Sequence, residues 1–69
     1  MDMTEFEINY FNSKDVEQWC MRYIGPRMYY LHKQIGGQGW TIKGHLSPRP
    51  KVAIEDDKHA LMAMIKFGA

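Results

Sequence analysis

The chain has one cysteine, Cys20, so it can form no internal disulfide. It has no apolar run approaching the roughly 20 residues that cross a bilayer. Between Gln18 and Ile54 it has no Asp and no Glu. The first absence removes the covalent staple that small secreted domains rely on, and with Met1-Asp2-Met3 carrying acid where a secretory leader needs positive charge, it points to a reducing intracellular compartment. The second excludes a membrane span. The third is the strongest pattern in the sequence. The acid-free stretch holds Arg22, Arg27, Lys33, Lys43, Arg49 and Lys51, interleaved with Tyr23, Tyr29, Tyr30 and Trp40. The acids lie outside it, at Asp2, Glu5, Glu7, Asp15 and Glu17 before and Glu55, Asp56 and Asp57 after. A net charge of +1 therefore conceals a basic, aromatic middle between acidic ends.

With 69 residues the expectation is one small domain spanning 1–69. Such a chain buries only about 60% of the surface its unfolded form exposes, so size alone makes a homo-oligomer reasonable. Abundant aromatics and Met, without low-complexity runs, argue for a folded chain rather than disorder.

Glu5 to Tyr10 alternates, with Phe6, Ile8 and Tyr10 on one face, and reads as a half-buried strand with an acidic outer side. Asn12 is the expected N-cap of a helix in which Val16, Trp19, Cys20, Tyr23 and Ile24 form the apolar stripe. Gly25-Pro26 ends it, with Gly25 suited to a left-handed C′ position. Arg27 to Gln34 fits either a helix restarting at Pro26 or a strand. The adjacent tyrosines and the following Gly36-Gly37-Gln38-Gly39 favour a strand, a Gly-rich turn and a second strand at Trp40-Thr41-Ile42. Gly44 to Pro50 is a loop, and Val52 to Ile54 a strand. Asp56 or Asp57 caps a short helix to about Leu61 or Met62, in which Ala60, Leu61 and Met64 share a buried side. Met64 to Phe67 is read as a last strand. With the Gly-rich hairpin collapsed, the order is a βαββαβ pattern. The expected fold is a small α+β, ferredoxin-like domain, an antiparallel sheet with two helices on one face.

Three segments carry a family likeness: Glu17-Gln18-Trp19-Cys20 leading to Tyr23-Ile24-Gly25, the lone Trp40 in a short strand, and Val52-Ala53-Ile54-Glu55-Asp56-Asp57 running on to Ala60 and Ile65-Lys66-Phe67. Together they resemble small accessory proteins of tailed bacteriophages, over most of the chain after Asn12. Met and Ala stand near the end where that pattern has Phe or Leu. The resemblance implies a phage origin and the host cytoplasm, and no defined activity.

The expected contact surface comprises Arg27, Tyr29, Tyr30, Lys33, Trp40, Lys43, Arg49 and Lys51. Tyr, Trp and Arg dominate protein interfaces, so this set suits a protein partner with an acidic surface. The same residues could bind single-stranded nucleic acid, with Tyr29 or Tyr30 and Trp40 as a stacking platform. Against that stand the low net charge and the absence of an RNA-recognition motif. The plainer alternative is that the tyrosines pack the core and the cations are solvated surface.

No enzymatic motif, cofactor or metal is expected. His32, His45 and His59 have no carboxylate or Cys partner at motif spacing. Asp56-Asp57 with His59 reads as a helix cap followed by an exposed His, since a closed metal site needs more ligands. Cys20, on the apolar stripe, reads as a buried inert thiol. The glycine cluster lacks the spacing of a phosphate loop. Ser47-Pro48-Arg49-Pro50 reads as a linker, or as a stiff segment able to dock in an aromatic groove.

Overall fold

A computed structural model describes residues 3–68. Its order is β1 (Thr4–Glu7), a 3-10 turn (Tyr10–Asn12), α1 (Ser13–Tyr23), β2 (Arg27–Tyr30), β3 (Gln34–Gly37), β4 (Trp40–Lys43), β5 (Lys51–Ile54) and α2 (Asp57–Phe67). The strands form one sheet in the order β1-β5-β4-β3-β2, with every pairing antiparallel. This is the expected α+β class, with a different topology. Five strands replace the four of a βαββαβ layout, and the connection through α1 carries the chain from one edge of the sheet to the other.

The register separates two faces. Rows Thr4-Ile54-Trp40-Gly37-Arg27 and Phe6-Val52-Ile42-Ile35-Tyr30 share the face under the helices. Ile8, Val16, Cys20, Ala60, Ala63 and Phe67 close the core over them. Rows Glu5-Ala53-Thr41-Gly36-Tyr29 and Glu7-Lys51-Lys43-Gln34 share the other face, which no helix among the described residues covers. A β-bulge between Arg27 and Tyr29 sets this division at β2. The extra residue, Met28, turns Arg27 and Tyr30 to the helix side and leaves Tyr29 on the open side; strict alternation would have paired Arg27 with Tyr29.

Several local expectations change. Tyr10 is not inward with Phe6 and Ile8. The Asn9 side chain accepts a 2.9 Å hydrogen bond from the Phe11 amide and folds the chain into the 3-10 turn. Asn12 stands before α1 without a side-chain cap bond. Along α1 only Val16 and Cys20 of the expected stripe are fully buried, while Tyr23 is exposed. Gly25 is not left-handed; the positive-φ glycines are Gly39 and Gly44. Gly25 is needed for close approach instead, because a Cβ there would lie 2.7 Å from the Gln38 carbonyl. Gly36 and Gly37 lie in β3, not in the turn. A Cβ on Gly36 would overlap the Tyr29 ring, and one on Gly37 the Trp40 indole.

Met64 to Phe67 is the end of α2, not a strand. Asp56 caps the helix, its carboxylate accepting from the His59 amide at 3.0 Å. The stripe that packs is Ala60, Ala63 and Phe67, whereas Leu61 and Met64 are exposed. Leu61, Met62 and Ile65 make the solvent side apolar too, so periodicity alone could not orient this segment.

Candidate protein-binding surface

α2 packs on β1 and β5, and α1 on β4. The corner over β3 and β2 is left as a groove beside α1. It has a volume of about 540 Å³ and is lined by Ser13, Glu17 and Met21 of α1, Arg27 and Tyr30 of β2, and His45 of the β4–β5 loop. Tyr10 and Leu46 line it as well. They also line a second notch of about 440 Å³ with Asn9, Phe11 and Pro48. The two hollows therefore form one continuous surface.

One ion pair ties β2 to α1. Arg27 Nη1 donates to Glu17 Oε2 at 2.8 Å. The Glu17 side chain is only 11% exposed, against 44% for Arg27. A carboxylate that buried requires a partner, and the guanidinium supplies one with N–H groups to spare. The Arg27 guanidinium also lies 5.3 Å from the centre of the Tyr30 ring, within cation–π range.

His45 is 4% exposed, and neither ring nitrogen has a hydrogen-bond partner. The Tyr30 ring stands edge-on to it at 5.1 Å. Buried polar atoms are nearly always paired, so an orphaned imidazole in a groove wall is a chemical peculiarity of this site. His59, the other buried histidine nitrogen lacking a hydrogen bond, has Nδ1 3.0 Å from Asp56 Oδ2. It therefore faces a carboxylate, whereas no carboxylate among the described residues lies within ion-pair distance of His45.

The rim is unusually apolar. Phe11 is 84% exposed and Leu46 58%. Tyr10 and Tyr30 are also exposed, and Lys14 adds a cation on the helix side. Contiguous exposed aromatic and aliphatic groups of this kind mark interaction sites more than scattered single residues do.

The eight residues expected as one contact surface are divided among four places. Arg27 and Tyr30 are in the groove. Tyr29, Lys43 and Lys51 are on the open face, where Tyr29 covers Gly36 and its hydroxyl accepts from Gln34 Nε2 at 2.5 Å. Lys43 sits 3.6 Å from Glu5 on that face. Lys33 and Arg49 lie in exposed connections. Trp40 is fully buried in the core, its Nε1 donating to the Gly25 carbonyl at 2.9 Å. It cannot stack a base or touch a partner, so the tyrosine–tryptophan platform does not form. Sequence reasoning missed Tyr10 and Phe11, which lie outside the basic stretch, Leu46, an aliphatic loop residue within it, and Glu17 and His45, whose burial no spacing signals.

The open face carries Glu5 and Glu7 among its lysines, a mixed field that repels phosphate as much as it attracts it. Cys20 is fully buried, and its thiol is pushed up to about 12, first by burial and then by the Glu17 charge. It stays protonated, and so poorly nucleophilic, at neutral pH. Among the described residues no group of three or more His, Cys, Asp or Glu is arranged to hold a metal ion. Among the same residues no helix is long and apolar enough to cross a membrane.

Compared with protein-family models, curated proteins and solved structures, the chain matches none.

Proposed function

We propose that this chain is a non-enzymatic binding protein that engages a protein partner through the groove and notch beside α1. The observation that carries this reading is the unbroken run of exposed Phe11, Tyr10, Leu46 and Tyr30 next to the cations Lys14 and Arg27. Aromatic anchors with an adjacent Arg are the usual energetic centre of an interface, and the cations select an acidic partner surface. The resemblance to phage accessory proteins suggests a host or phage protein as that partner, met in the host cytoplasm, with inhibition as the consequence of binding.

The expected result is capture of one partner by the tagged chain, and at least a tenfold loss of capture for Phe11→Asp and for Leu46→Asp. Both residues are solvent-exposed, so circular dichroism should show the fold intact. Lys43→Glu with Lys51→Glu, on the open face, should leave capture unchanged. If the open-face pair abolishes capture while the notch variants keep it, the surface is misassigned. An oligonucleotide mobility shift that fades steeply with salt would favour nucleic acid instead.

A further inference from the structure

The groove has a charge balance and an unused polar group that together specify what enters it. Lys14 and Arg27 contribute two positive charges to its lining and Glu17 one negative. Leaving His45 aside, these side chains sum to one surplus positive charge. A monoanion neutralises it; a phosphate dianion leaves one charge uncompensated in a half-enclosed space. Arg27 spends one N–H on Glu17, and its side chain is 44% exposed, so further donors remain for a ligand. His45, buried and unpartnered at both nitrogens, supplies another N–H. The adjoining notch of Tyr10, Phe11, Leu46 and Pro48 offers a seat for an apolar side chain.

We infer that the groove is a carboxylate subsite: it receives an Asp or Glu side chain of the partner, which bonds to Arg27 and His45, while the neighbouring apolar side chain of that partner segment fills the notch. This rests on the protein-binding reading above and narrows it to a peptide chemistry. Tyr30 is the movable element. Its ring stands edge-on to His45 at 5.1 Å and is 55% exposed on a sheet edge, so an outward turn of that ring is the movement the inference requires. A carboxylate sets its full negative charge against the Arg27 guanidinium, an attraction that an amide of equal shape lacks.

The test is an NMR titration of the wild-type chain with two blocked peptides, acetyl-Glu-Phe-Leu-amide and acetyl-Gln-Phe-Leu-amide, and with inorganic phosphate. The glutamate peptide is expected to shift the Arg27 side-chain, His45 ring and Tyr30 resonances saturably and to bind about tenfold more tightly than the glutamine peptide. His45→Phe, which keeps an aromatic ring in the wall, is expected to weaken the glutamate peptide more than the glutamine peptide and so to reduce that preference several-fold. Equal binding of the two peptides, shifts confined to other surfaces, or tighter binding of phosphate would overturn the inference. If the peptides bind equally but Leu46→Asp still loses the captured partner, the carboxylate subsite falls and the binding surface stands. If neither result appears, both fall.

Discussion

Trp40→Ala is expected to remove about 4 kcal/mol of stability, the usual cost of deleting a buried aromatic. The indole is fully buried, opposite Ile54 and Gly37 in the sheet, and its N–H satisfies the Gly25 carbonyl at 2.9 Å. Deleting it opens a cavity under α1 and strips the Gly25 carbonyl of its side-chain donor. At about 0.05–0.15 kcal/mol per residue, a domain of this size has roughly 3–10 kcal/mol in total. The variant should therefore lose between roughly two-fifths and all of its stability, as a fall in the midpoint of a urea titration followed by circular dichroism would show. Trp40→Phe keeps most of the packing and should lose only about 1–2 kcal/mol. A folded Trp40→Ala chain with near-normal stability would mean that the indole is a surface group after all.

Gly37→Ala is the second large effect. Replacing a strand glycine with alanine ordinarily stabilises a protein slightly, because it restricts the unfolded chain. Here the sign should reverse. The new methyl would overlap the Trp40 indole, which is enclosed and cannot withdraw. A cost of about 3 kcal/mol is expected, at the upper end for overpacking. Gly36→Ala is the internal control. Its methyl would meet the Tyr29 ring, but that ring is on the open face and can move into solvent at the expense of its bond with Gln34. About 1 kcal/mol is expected there. Equal midpoints for the two variants in urea would contradict the two-faced arrangement of β3.

These two sites explain what the sequence could reveal. The glycine cluster was legible as a hairpin signal, and Gln38-Gly39 does form the turn between β3 and β4. Gly36 and Gly37 look identical to Gly39 in one dimension. Their reason for being glycine is a pair of aromatic rings from neighbouring strands, visible only once the register is known. The β2 strand was legible from its tyrosines, but the bulge at Met28 was not. That one extra residue decides that Arg27 joins Tyr30 over Glu17 rather than joining Tyr29 on the open face. The Asp56 cap was legible too, yet the length of α2 was not, because apolar residues on both sides of the helix erase the period that would have carried it to Phe67.

The candidate surface was half legible for a related reason. Charge segregation picked out Arg27 and Tyr30, which the fold brings together in one groove, because a cation beside an aromatic is visible in composition. It also swept in Trp40, since burial and exposure of an indole depend on the partner strand. Tyr10 looked like the inward-facing end of β1 until Asn9 turned the chain outward, and Phe11 carried no signal of its own. His45 was one more loop residue until the fold enclosed it.

The claim that the notch and groove beside α1 meet the partner is tested most directly by site-specific photocrosslinking. Benzoylphenylalanine placed at Phe11, in the notch, should crosslink to the captured partner. The same group at Ile65, equally well exposed but on α2, should not. A crosslink at Ile65 with none at Phe11 would contradict the account and move the interface to the apolar side of α2.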